Sequence, residues 1–322
     1  MRSEAECIPC VIHQCQRVVR LVTSDEAKLL SVTHRVLDRI QELTLDEPPS
    51  RFTSRVLLEV YAALGVDDPF AQVKEEMNQL GARAADKARA RVEHSNDPLH
   101  TAILYAAAGN VIDSGPQASF DLDAALASLH FRYDDYQAFR DRLHGAGTIL
   151  YLLDNAGEIF FDRLLLERLA GFQLTLAVKP APILNDATLQ DAQVAGLAKF
   201  GRVITTGTRA LGIDLADPRP VSLAQPCQRA GASSEFRAAF EEADIVIAKG
   251  HANFESAIDL ARDTFFVLKA KCPVVAQRLS SEIEKRRSVS GGQWPATGNR
   301  EPATGAVGDS VFLYSEGGAP ED

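Results

Sequence analysis

Three junctions in the chain set polar side chains at the ends of apolar runs, and their residue types suit metal and phosphate chemistry. Thr148-Ile-Leu-Tyr-Leu-Leu153 leads into Asp154 and Asn155, and Gly157-Glu158 then turn the chain into a segment with helical apolar spacing (Ile159, Phe160, Leu164, Leu165, Leu169). The run 174–178 leads through Lys179 to Asn185 and Asp186, ahead of another helix-like stretch. The run 245–248 ends in Lys249-Gly250, with His251 next. Two carboxylates and an amide oxygen form a hard, all-oxygen donor set suited to Mg²⁺ or Mn²⁺, with waters completing the shell. Lysine is a common point-charge partner of phosphate, and a glycine beside it lets backbone approach a ligand. Each residue also has a plainer use. Asp-Asn pairs fill turns, Asp186 suits the cap of a helix opening at Thr188, Lys249 suits a solvated loop, and His251 is either a proton donor or a packed ring.

These junctions need an open α/β sheet to meet, because ligands of such sheets bind beyond the carboxyl ends of the strands. From Gly147 onward, β-forming runs at 148–153, 174–178, 203–206, 245–248 and 265–268 alternate with helix-length segments. This order predicts a mostly parallel sheet with helices on both faces, a three-layer α/β/α sandwich over residues 146–322. Residues 309–314 read as a final strand. Parallel pairing of the first two runs would bring Asp186 beside Asp154. Residues 1–145 read as a helical N-terminal region. Apolar faces recur at Val11–Val22, Leu29–Leu43, 50–64 and 73–80. Pro48-Pro49 stops the second helix, Gly65 suits the residue after the third, and Asp97-Pro98 reads as a cap with a first-turn proline. Further helices are expected near 122–129 and 133–143, with no strand in this half. The segments 215–228 and 288–308 read as long loops.

Composition narrows the function classes. A chain of 322 residues with 46% hydrophobic and 24% charged side chains can bury a large core. A net charge of −10 argues against a nucleic-acid partner, though not against an anionic metabolite, since a bound divalent ion reverses the local field. No apolar run approaches the roughly 18 residues that span a membrane, and the first residues lack a signal-peptide core, so a cytoplasmic protein is expected. Five cysteines, an odd number, fit reduced thiols. Cys7-Ile-Pro-Cys10 is half of a zinc site without a second pair, so Cys7, Cys10, Cys15 and Cys272 are expected to be buried structural thiols. Neither a G-x-G-x-x-G after a strand, nor a P-loop, nor a G-x-S-x-G elbow occurs.

The combination resembles the DUF89 family, the damage-control phosphatase ARMT1-like proteins. The resemblance is carried by Asp154-Asn-Ala-Gly-Glu-Ile-Phe-Phe-Asp162, Asn185-Asp-Ala-Thr-Leu-Gln-Asp191, Lys249-Gly-His-Ala-Asn-Phe-Glu255, Leu268-Lys-Ala-Lys-Cys-Pro273 and Gly109-Asn-Val-Ile-Asp113. Cys7-x-x-Cys10 is typical of its prokaryotic branch. The resemblance implies a metal-dependent phosphatase acting on phosphomonoesters of small metabolites, sugar phosphates or damaged phosphometabolites. Asp154, Asn155 and Asp186 would be the catalytic residues and would hold a divalent ion (Mg, Mn, Co or Ni). Asn110, Asp113, Glu158 and Lys249 would contact substrate or phosphate. Two alternatives are an S-adenosylmethionine-dependent carboxyl methyltransferase, also proposed within this family, and a non-enzymatic metal- or metabolite-binding protein. The chain departs from the family pattern after Lys271-Cys-Pro273, where residues 277–308 intervene before the final strand.

Overall fold

The computed structural model describes residues 1–108, 129–215, 231–289 and 306–317. Among them the N-terminal half is helical: α1 (Cys7–Val22), α2 (Glu26–Ile40), α3 (Pro49–Leu64), α4 (Ala71–Glu93) and α5 (Pro98–Ala108). The stop signals act as expected. Gly65 closes α3 with φ 69°, and Asp97 Oδ1 accepts the His100 N–H at the start of α5. The rest of the chain alternates: β1 (Tyr133–Asp134), α6 (Tyr136–Leu143), β2 (Thr148–Leu152), α7 (Ile159–Arg168), β3 (Gln173–Val178), α8 (Leu189–Val194), β4 (Arg202–Thr205), α9 (Ser234–Glu242), β5 (Ile245–Lys249), α10 (His251–Ala257), β6 (Thr264–Lys269), α11 (Pro273–Val289) and β7 (Ser310–Ser315).

The seven strands form one sheet in the order β1-β7-β6-β5-β2-β3-β4. Every pairing is parallel except β6 with β7. Both faces are apolar, as a buried parallel sheet requires. Ile149, Tyr151, Leu176, Ile247 and Val267 point into one core with α4, α5 and α7. Leu150, Leu152, Val246, Ala248 and Phe266 point into the other with α9, α10 and α11. The two-residue alternation of side chains across a strand thus generates the three layers. A satellite core of α1, α2 and α3 includes Ile183 from the loop after β3.

Two expectations need correction. Residues 133–134 form strand β1 rather than the start of a helix; the strand pairs with β7, and α6 begins at Tyr136. A two-residue strand is too short to show periodicity. The helix α11 also runs to Val289, into the stretch expected to be a loop from 288. The last strand is present, antiparallel to β6. The helix expected over 122–129 falls, but for its last residue, outside the described residues, and so does most of the 215–228 loop.

The chain leaves β2 toward β3 and β4 on one side, then returns to β5 and β6 on the other. The crevice between β2 and β5 is therefore the topological switch point, where open α/β sheets bind ligands. Helix α4 packs on the loop that leaves β2. A Cβ at Gly81 would lie 2.2 Å from the Gly157 carbonyl oxygen, so only glycine allows the helix to touch the loop after β2. Gly81→Ala should destabilise the protein by about 1–3 kcal/mol, overpacking outweighing a helix-propensity gain of about 1 kcal/mol. Equilibrium urea unfolding checks this; an unchanged or raised midpoint would contradict the contact.

Candidate active site

Asp154 and Asn155 follow β2, and Asn185 and Asp186 follow β3. Parallel neighbours bring the two loops together, and backbone hydrogen bonds lace them. Ala187 N–H donates to Asp154 O at 2.8 Å, and Ala156 N–H donates to Asn185 O at 2.8 Å. Asn155 and Asp186 are bridge partners. The third junction closes on the same point. Gly250, at φ 82°, packs so tightly that a Cβ there would lie 1.9 Å from Asp154 Oδ2. Asp154, Asn155 and Asp186 line a cavity of about 330 Å³. A larger cavity, about 590 Å³, lies between α2 and α3; there Arg39 pairs with Glu59, and the lining offers no pair of carboxylates for a hard cation.

The plainer uses of these residues can now be compared with their contacts. The cap of α8 is Thr188, whose N–H and hydroxyl donate to Asp191 Oδ2 at 2.9 and 2.7 Å. Asp186 is therefore not the helix cap. Its loop is held in a costly conformation: Leu184 has φ 44°, a left-handed value rare outside glycine and worth roughly 1–3 kcal/mol of strain. Its N–H donates to the Tyr61 hydroxyl at 2.9 Å, which ties the loop to α3. Burial pushes that hydroxyl up to about 12, so it stays protonated.

Helix α4 joins both loops through one residue that sequence reading missed. Asn78 Oδ1 accepts the Gly157 N–H at 2.8 Å, and its Nδ2 donates to Asp191 Oδ1 at 2.8 Å. Asn78 looks like one more polar residue in an alanine-rich helix, and only its long-range partners mark it. Asn155 is oriented similarly: Nδ2 donates to Glu158 Oε1 at 2.8 Å and Asp154 Oδ2 at 3.2 Å. With both protons used, the amide oxygen is its group for accepting from, or ligating, a partner.

Behind Asp154 lies a buried ionic layer. Lys249 is fully buried; it donates to Asp162 Oδ1 at 2.7 Å and lies 3.8 Å from Glu158. The Tyr151 hydroxyl donates to the same Asp162 oxygen at 2.7 Å. Burial would depress Lys249, but Asp162, Glu158 and Asp154 outweigh it and hold the ammonium above its ordinary pKa. Burial holds Asp162 above the usual carboxylate range, with Lys249 and Tyr151 pulling the other way. Lys179, also buried, lies 3.7 Å from Asp186; burial lowers its pKa, opposed by Asp186 and Asp154. Lys249 and Glu158 thus sit behind the cavity wall rather than on it. Asn110 and Asp113 lie outside the described residues.

The donor chemistry fits a hard divalent cation. Among the described residues no three His, Cys, Asp or Glu side chains gather as a ready-made cage. Two carboxylates and the Asn155 oxygen form the sparse set that suits Mg²⁺ or Mn²⁺, which keep several waters. Charge agrees with this. Asp154, Glu158, Asp162 and Asp186 are four buried acids beside two buried lysines, Lys179 and Lys249, an excess of two when all are ionised.

Residues 3–286 match the damage-control phosphatase ARMT1-like domain. The chain belongs to that family. It is 34% identical over 292 residues to a damage-control phosphatase of Pyrococcus horikoshii, covering 87% of this chain and 94% of that one. It is 31% identical over 295 residues to a damage-control phosphatase of Archaeoglobus fulgidus, covering 88% and 97%. The fold agrees: the crystal structure of a DUF89 family protein from P. horikoshii superposes with a TM-score of 0.79 at 29% identity, covering 98% of this chain and all of that one. The chain is accordingly a phosphatase of this family, and its substrates are phosphorylated metabolites.

The ionic layer gives a direct test. Lys249→Met should cost about 3–5 kcal/mol by leaving Asp162 buried without its cation. Adding Asp162→Asn to that variant should recover much of the loss. Urea unfolding of the single and double variants measures both, and additive losses would contradict the buried pair.

Proposed function

We propose that the chain hydrolyses phosphomonoesters of small metabolites, with Asp154, Asn155 and Asp186 holding a divalent ion of the Mg, Mn, Co or Ni class. The observation that carries this reading is the meeting of these three oxygen donors beyond the carboxyl ends of β2 and β3, beside the switch point of the sheet, on one cavity and in a region with an excess of buried negative charge. When bound, the ion would polarise a phosphoryl oxygen and lower the pKa of an attacking water. The chain's own groups do the rest. Asp154 and Asp186 are fixed by the interlaced loops, Asn155 is turned by Glu158, and Gly250, lacking a side chain, lets its backbone lie against Asp154 without filling the space of that carboxylate. Arg17, Lys271 and His251 line the same cavity and suit a substrate that arrives as an anion. Burial lowers His251, but Cys272 and Glu255 outweigh it and raise the ring to about 9, so it is cationic at neutral pH.

Glu158 and Lys249 enter the proposal as positioning residues. Their buried partners favour that role over the direct phosphate contact expected from the motif. Asn110 and Asp113 remain candidate substrate contacts on their Gly-Asn-x-x-Asp motif alone. The methyltransferase alternative gains no support, since the turn after β2 is not the glycine-rich loop a dinucleotide-like cofactor favours. No helix among the described residues is long and apolar enough to cross a membrane, and a cytoplasmic setting suits a metabolite phosphatase.

Phosphate release from a panel of phosphorylated metabolites, across several divalent ions and after chelation, tests the reading. Asp154→Ala and Asp186→Ala should each weaken metal binding by calorimetry and lower turnover by about a hundredfold or more, the upper range for losing even an outer-sphere partner. Because the ligands act as one unit, the double variant should be hardly slower than either single one. Normal metal affinity and normal rate in Asp186→Ala would overturn the assignment.

A further inference from the structure

The cavity carries a second set of reactive groups that hydrolysis does not use. Cys272 stands immediately before α11, with its Sγ 3.6 Å from His251 Nε2. The Val275 N–H donates to the same sulfur at 3.5 Å. His251 Nε2 also lies 3.3 Å from Glu255 Oε1 on α10. Cys7 and Cys10, from the first turn of α1, line the same cavity. The expectation of uniformly buried structural thiols therefore fails. Cys7 and Cys15 are buried, but Cys10 is exposed and Cys272 half-buried, while Cys227 lies outside the described residues. A sulfur beside an imidazole on an open cavity suits thiol chemistry.

Its members are unequal. A thiol beside an imidazolium at a helix N-terminus is favoured as thiolate. Burial would raise Cys272, but His251 and the Val275 N–H outweigh it and hold the thiol below its usual pKa. Burial raises Cys7, and partial desolvation at the cavity wall and the charge of Cys272 raise Cys10. The titratable groups around Cys272 are His251 and Glu255 from α10, Cys7 and Cys10 from α1, and its chain neighbour Lys271.

We propose that Cys272 is a thiol-modification site that captures low-molecular-weight disulfides, and that the resulting adduct occupies the substrate cavity and stops turnover until a thiol removes it. The Cys272 thiolate attacks one sulfur of the reagent, the reagent's S–S bond breaks, and a mixed disulfide forms at Cys272. The departing thiolate takes up a proton from solvent, and the oxidant is the disulfide itself. Cys272, Asp154 and Asp186 share one cavity of about 330 Å³, so adduct and substrate compete for the same volume. Only the activity readout rests on the phosphatase reading.

The full-length protein is treated with oxidised glutathione at pH 7 and followed by intact mass and peptide mapping. The expected product is one glutathione on Cys272, or a Cys10–Cys272 disulfide formed when Cys10 displaces it. Hydrolysis of p-nitrophenyl phosphate with Mn²⁺ should fall about tenfold or more relative to untreated protein and return with dithiothreitol. In Cys272→Ser, treated protein should keep the activity of its own untreated sample. In His251→Gln, the pH profile of Cys272 alkylation by iodoacetamide should move upward by about one unit or more. First modification at Cys7 or Cys10 with Cys272 intact would overturn the proposal, as would a Cys272 adduct that leaves hydrolysis unchanged. Stoichiometric zinc released on blocking the thiols would also overturn it. If untreated protein fails to hydrolyse the phosphoester, the phosphatase reading fails, while mass and alkylation still decide the site.

Discussion

Asp154, Glu158, Asp162 and Asp186 bring four carboxyl groups into the interior next to Lys179 and Lys249. Taking an ion out of water costs several kcal/mol even after relaxation, and pairing repays that only with good geometry. Lys249 serves Asp162 and Glu158, and Lys179 serves Asp186. The layer is still left with more acid than base, and much of the surrounding structure follows from that. The strand ends converge, the loops are interlaced, and glycine faces Asp154 because a Cβ there would collide with the carboxylate.

Rigid support for such a site comes from outside the sheet. Helix α4 touches the loop after β2 through Gly81 and ties both ligand loops together through Asn78. Tyr61 of α3 holds the strained Leu184 beside Asp186. The N-terminal helices therefore act as the clamp of the site as well as one of its walls. Helices α4 and α5 share a core with the sheet, so a defect in the clamp is expected to reach both stability and turnover.

Much of this was legible in the sequence because it rests on local signals. Apolar runs ending in Asp-Asn, Asn-Asp and Lys-Gly mark strand ends, and parallel order puts the first two side by side. The sandwich and the last strand follow from the same alternation. What was not legible depends on contacts far apart in the chain. Asn78 and Gly81 carry no periodic signature for a loop nearly 80 positions away. The burial of Lys249 could be anticipated, but not its partner Asp162, which reads as one more polar position in α7. Cys10 and Cys272 come from opposite ends of the chain and share a cavity only through the tertiary fold. Two residues are too few for strand periodicity, which hid β1.

The central claim is the location of the divalent ion, and anomalous diffraction from crystals grown with Mn²⁺ tests it most directly. The account predicts a peak about 2.0–2.2 Å from Asp154, Asp186 and the Asn155 amide oxygen, with waters filling the remaining positions. Manganese bound elsewhere, with these three side chains holding only water, would contradict it.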